Sequence, residues 1–224
     1  MAFDPAKVKQ APPPDWAGFW DVKRFPGPRA LGNGARGAGT GTFEAALMAD
    51  GVAPDKLYPL DLDRVFRSLE RIKPSIVKYW DTGAEPVQML IDGNVAFTSA
   101  WNGRIAERQL QGAPVDMSWN QGILQWDALV VPKGARNVEN AMKFVAFTSR
   151  PDQQARFSQL ITYGPTNTRA ASLIPPDRAR ILSTSPELVS KQVVQNYDWW
   201  GADSGNGKSN EQVASAMWER WITS

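Results

Sequence analysis

One form recurs in this chain and limits its possible folds: a short apolar, β-favouring run, a polar turn, then a helical pattern. Residues 76–80 read IVKYW and lead through Asp81-Thr82-Gly83 into a helical stretch ending near Asp92; residues 95–101 read VAFTSAW and turn at Asn102-Gly103 into a helix over 104–111. Thr82 and Glu85 have capping-box spacing, which predicts a helix beginning there, and Gly93 ends it. Strands alternating with helices predict an α/β fold with a largely parallel sheet. In such sheets the strand ends that open into helices are where ligands bind, so Trp80, Thr82, Gly83, Trp101 and Asn102 become candidate ligand contacts. Two Trp residues at equivalent strand ends form either a binding wall or the packed top of the sheet, and Thr82 is either a contact or only a cap.

The other elements follow from periodicity. Residues 16–20 carry Trp16, Phe19 and Trp20 behind a capping Asp15, and 31–41, LGNGARGAGTG, read as a loop before a helix over 42–50. That loop has glycines able to present backbone N–H groups, but neither a phosphate-loop ending nor a full dinucleotide fingerprint. A helix is predicted over 61–73, with Asp61 as cap and Pro74 beyond its end. Further helices are predicted over 138–148, 151–160, 186–195 and 210–222, and a strand over 115–119. Residues 1–14, rich in Lys and Pro, predict an extended arm.

The stretch 119–134, WNQGILQWDALVVPKG, reads as a buried strand over 123–131 with Asp127 at its middle. A buried carboxylate requires a partner. That partner is a backbone amide or an arginine, or else a cationic ligand for which Trp126 supplies a stacking face and Asp127 an acceptor. Tyr163, in the turn-rich 163–167, faces a cleft or solvent. Trp199 and Trp200 beside Asp198 repeat the aromatic–acid pairing and are either a site element or a tail latch.

Composition narrows the chemistry. The 224 residues include no Cys and no His, which removes thiolate nucleophiles, His-based triads and the commonest metal ligands; no metal or cofactor is expected. The net charge of +2 is small and Lys and Arg are scattered, so nucleic acid is not an expected partner. No apolar run approaches the roughly 18 residues a membrane helix needs.

Segments 15–23 (DWAGFWDVK), 90–95 (LIDGNV), 100–104 (AWNGR), 126–135 and 163–167 (YGPTN), in that order, resemble the extracellular solute-binding proteins of ABC importers, nearest to the spermidine/putrescine-binding type. The resemblance implies a type II periplasmic-binding-protein fold, a non-catalytic role in capturing a polyamine-like or related amine in an interlobe cleft, a periplasmic location, and an inner-membrane ABC permease as partner. It implies that 15–125 and 176–224 form the second lobe, and that 126–175 is a returning segment of a first lobe whose larger part, with any export signal, lies outside this chain. It gives Trp101 the role of stacking wall and Asp127 that of amine acceptor. It places Trp126 beside the family's usual aromatic position, here Gln125, and Trp199 and Trp200 where the tail reaches the cleft. In the glycine-rich segment, where polyamine binders commonly place acids, this chain has Ala38, Gly39 and Gly41. The competing reading is a carboxylate-based glycoside hydrolase or other carbohydrate-active protein, with Asp81, Asp127 or Asp198 as acid and base.

Overall fold

The computed structural model describes residues 1–8 and 11–224. The chain divides into two compact units, one formed by Met1–Leu124 with Lys191–Ser224 and the other by Gln125–Ser190. In chain order the first unit contains β1 (Ala2–Phe3), α1 (Trp16–Trp20), β2 (Arg29–Gly32), α2 (Thr42–Ala49), α3 (Leu62–Ile72), β3 (Ile76–Trp80), α4 (Glu85–Ile91), β4 (Phe97–Thr98), α5 (Asn102–Leu110), β5 (Asp116–Met117) and β6 (Gly122–Leu124). The second unit follows with α6 (Val138–Thr148), α7 (Pro151–Leu160), α8 (Pro176–Ala179) and α9 (Pro186–Val189). The chain then returns to the first unit as β7 (Gln192–Val194), α10 (Tyr197–Gly201) and α11 (Asn210–Ile222).

The first unit is built on a five-stranded sheet of order β3-β2-β4-β1-β5. Strand β2 runs parallel to both β3 and β4, and β1 runs antiparallel to β4 and β5. The sheet is therefore mixed, and its parallel half carries the two strand–turn–helix units. The start of the expected arm is instead part of this sheet: Ala2 and Phe3 are buried between two strands, because their backbone groups complete the ladder. The last two residues of strand β2, Leu31 and Gly32, fall in the stretch read as a loop. All four of its residues are buried, so it lacks the alternation that reveals a half-exposed strand.

Arg29 explains how β2 holds a cation in the core. It is fully buried, and its guanidinium donates to the carbonyls of Phe19 (2.8 Å), Gly27 and Phe25 while lying over the rings of Phe19 and Phe97. Five donors in a fixed fork suit a ring of carbonyls better than a lysine would. Burial pushes the guanidinium down to about 10, partly offset by Asp21, so it stays charged near neutral pH. One side chain thus closes the loop between α1 and β2.

Helix α2 is buried along nearly its whole length and packs on α1 and α3, while α3 follows the sequence expectation with Asp61 accepting from the Arg64 amide. Phe43 of α2 meets Phe66, Trp200 and Trp218 within 6.1 Å, so the C-terminal helices finish the core begun by the N-terminal half. The expected helix over 186–195 stops at Val189, and β7 then pairs in parallel with β6. That pairing ends at Leu124. The predicted buried strand over 123–131 forms only at Ile123 and Leu124, and Trp126, Asp127, Leu129 and Val130 are exposed, because no strand among the described residues pairs with the chain beyond Leu124.

Within the second unit, a small core of Ala155, Ala170, Ile174 and Leu182 holds α7 against the turn Thr168–Leu173. Much of its apolar surface stays in solvent, with Leu160 at 86% and Val130 at 77% exposure. No helix among the described residues is long and apolar enough to cross a membrane.

Two outcomes test these contacts. Arg29→Leu should cost about 3 kcal/mol or more, read from urea unfolding, because three buried carbonyls lose their donor. Asp50 bridges Arg64 (2.5 Å) and Arg71 (2.6 Å), and hydrogen bonding to Arg64 holds its carboxyl below the usual carboxylate range. Its contribution is present above the unfolded-state value of about 4 and is lost as pH falls below it. Asp50→Asn should therefore lower the thermal midpoint at pH 7 and lower it less at pH 3.

Candidate functional site

The carboxyl ends of β2, β3 and β4 converge on one hydroxyl. Ser99 Oγ accepts from the Gly32 amide (2.9 Å) and from Trp80 Nε1 (3.1 Å), so the strand ends are tied before any turn begins. The Asn33 amide then donates to the Trp80 carbonyl (2.9 Å), and Asn33 Nδ2 donates to Asp81 Oδ1 (2.8 Å). Trp80 is sealed at 1% exposure, with its ring edge-on to Trp101 at 5.4 Å.

Trp101 is the residue before α5, where the chain leaves β4. Its indole is half-buried and fixed at both ends: Nε1 donates to the Gly39 carbonyl (3.3 Å), and Gly83 lies beneath its six-membered ring. A Cβ at Gly83 would fall 2.4 Å from that ring, so only glycine fits. The segment Gly34–Thr40, a 3-10 turn opened by Asn33, brings Gly39 to the indole and holds Arg36 over its face, with the guanidinium carbon 5.9 Å from the ring centroid. Gly37 adopts φ 54° there, and Gly41 opens α2 at φ 67°.

The expected capping box at Thr82 is not formed. Helix α4 begins at Glu85 with no side-chain cap, because Glu85 turns back to accept from Thr82 Oγ1 (3.2 Å) and the Asp81 amide (3.4 Å). Thr82 is exposed and Asn102 half-buried.

The sequence candidates separate into groups. Trp80, Thr82, Gly83, Trp101 and Asn102 meet at this rim, but Trp80 is a buried support for Trp101 and presents no face to solvent. Trp200 is likewise sealed, at 1% exposure. Its Nε1 donates to Glu44 Oε1 (2.9 Å), which also accepts from Tyr58 (2.6 Å) and Gln195 (2.9 Å). Of the two readings of the tail aromatics, the latch is the one Trp200 meets. Trp199 is half-buried in the same cluster, its ring 5.6 Å from that of Tyr58. Burial, and then the charge of Glu44, pushes the Tyr58 phenol well above its ordinary value, so it remains a donor. Trp126 and Asp127 are exposed and Tyr163 half-buried, all on the second unit. Asp81 and Asp198 are exposed on the first.

Sequence reasoning missed Asn33, Arg36 and Ser99. The signal for Arg36 was a single cation within a glycine-rich loop, and Ser99 was hidden within a strand. Among the described residues, no group of three or more acidic, His or Cys side chains is placed to hold a metal ion.

The model of the bacterial extracellular solute-binding protein family matches residues 1–184, and the chain belongs to that family. It is 37% identical over 205 residues to the gamma-aminobutyric acid-binding protein of Pseudomonas aeruginosa, covering 89% of this chain and 56% of that protein. It is 26% identical over 200 residues to the spermidine/putrescine-binding periplasmic protein of Escherichia coli, covering 88% of this chain and 53% of that one. Its structure superposes on an ABC transporter substrate-binding protein from Bradyrhizobium japonicum with a TM-score of 0.89 and 43% identity, over 99% of this chain and 66% of that one. The fold is thus that of a solute-binding protein, and the chain spans about half the length of the curated relatives it matches.

The contrast between the two indoles is testable. Trp80→Ala should cost about 3–5 kcal/mol by urea unfolding, as for other large core truncations, whereas Trp101→Ala should cost clearly less.

Proposed function

We propose that this chain is the solute-capturing part of an ABC importer's binding protein, taking up a small amine-bearing molecule, without catalysis, for delivery to a membrane permease from a periplasmic location. The observation that carries the reading is the half-exposed indole of Trp101, fixed by Gly39, Gly83 and Trp80 at the end of a parallel strand. An indole held rigidly before ligand arrives gives a methylene chain or an ammonium a stacking face at little ordering cost. Family membership and the amine-binding names of two relatives support the same reading.

Within this proposal Trp101 is the stacking wall, with Thr82, Gly83 and Asn102 beside it. Asp127, exposed on its own unit, is an amine acceptor, and Trp126 and Tyr163 are further contacts. Trp199 is retained as a candidate; Trp80 and Trp200 serve as buried supports. The first unit, which also takes in the start of the chain, is proposed to be one lobe, and the second unit, which takes in residues 176–190 expected with the first, one portion of another. The exposed Val130, Phe144, Phe157 and Leu160 support this division, since a finished soluble surface seldom leaves so much hydrocarbon in water.

Calorimetry with γ-aminobutyrate, putrescine, spermidine and a neutral sugar tests the function. Binding of at least one amine, weakened tenfold or more by Trp101→Ala with a far smaller fall in thermal midpoint than Trp80→Ala gives, is the expected result; failure of every amine to bind would overturn it. Asp127→Asn should weaken a cationic solute by about tenfold, the scale of a lost charge-assisted hydrogen bond, and a neutral one far less. Equal losses for both would remove its electrostatic role.

A further inference from the structure

Arg36 stands on the face of the indole proposed to stack the solute. It is exposed, and its guanidinium lies 5.9 Å from the Trp101 ring centroid. The loop that carries it is pinned rather than loose. The Arg36 amide donates to the Asn33 carbonyl (3.2 Å), Gly39 of the same turn accepts from Trp101, and Asn33 is tied to both Trp80 and Asp81. No carboxylate among the described residues pairs with Arg36. Asp81 is engaged by Asn33, Glu85 lies 3.8 Å from Lys78 and Glu107 4.0 Å from Arg104. The Glu211 side chain packs against neighbouring Gly37 without forming an ion pair with Arg36.

An uncompensated guanidinium over a stacking face suits one class of solute poorly and another well. A di- or polyamine laid on Trp101 brings an ammonium against a like charge. A carboxylate brought there gains a charge-assisted, two-pronged hydrogen bond from the guanidinium fork. Gly34, Ala35, Gly37, Ala38, Gly39 and Thr40 carry no charge, which leaves Arg36 as the charged side chain of its turn.

We propose that Arg36 is a specificity-determining residue that receives a carboxylate, so that the solute is an amino-carboxylic acid rather than a di- or polyamine. This rests on the solute-capture reading and refines it. Arg36 supplies the position for the acid end.

Matched four-carbon probes test it. Calorimetry on the unaltered chain and on Arg36→Gln compares γ-aminobutyrate, putrescine and butyrate, while the Trp101 indole N–H signal in two-dimensional NMR reports binding at this rim. The expected result is at least tenfold tighter binding of γ-aminobutyrate than of putrescine, a Trp101 shift with γ-aminobutyrate and butyrate, loss of both shifts in Arg36→Gln, and partial recovery in Arg36→Lys. A preference for putrescine in the unaltered chain, or equal weakening of both amines by Arg36→Gln, would overturn the assignment while leaving amine capture intact. Failure of all three probes and of spermidine would remove the solute-capture reading and this assignment with it.

Discussion

The oxygen of Ser99 is the point on which the rim depends. It takes one N–H from the end of β2 and one from the indole at the end of β3, and it belongs to the strand segment leading to Trp101. A buried hydroxyl that accepts from two donors fixes three backbones at once, and in a low-dielectric setting such bonds hold more firmly than at the surface. Everything above it inherits that register. Asn33 reaches the Trp80 carbonyl only because β2 and β3 end level, and Trp101 meets Gly39 only because β4 ends beside them. The rim is therefore an extension of the sheet, and a loop alone would not place an indole so closely.

The charged groups within the same unit follow a consistent logic. Arg29 lies in the core because three carbonyls and two aromatic rings replace the water it loses. Glu44, also fully buried, collects three donors on one oxygen, while its Oε2 has no hydrogen-bond partner among the described residues. Both tie distant segments together: Arg29 joins α1 to β2, and Glu44 joins α2 to the returning chain at Gln195 and Trp200. Arg36 differs in being left in solvent, with no carboxylate paired to it among the described residues.

Where local signals were complete, the sequence was readable. Asp15 and Asp61 cap their helices as their spacing indicates, Ile76–Trp80 is a strand, and residues 210–222 form α11. The strand–turn–helix repeat led to the rim, and short motifs in order led to the family. Tertiary pairing defeated the rest. Strand β2 contains an arginine and a glycine that only a ring of carbonyls and a neighbouring turn make sense of. Trp80 and Trp101 have equivalent places in sequence yet opposite exposures, because Trp80 lies beneath the other ring. The 123–131 stretch has strand composition but pairing only at its first residues. Its apolar side chains reflect what surrounds them, and that information is not local.

The parallel pairing of β6 with β7 also bears on how the molecule is made. Phe43 precedes Gln125–Ser190 in sequence, but Trp200 and Trp218 that enclose it follow that segment. The ribosome must therefore have made the chain through Trp218 before the first unit's interior can shut against water. Until then α2 has an open apolar flank, the exposed state that holding chaperones guard against.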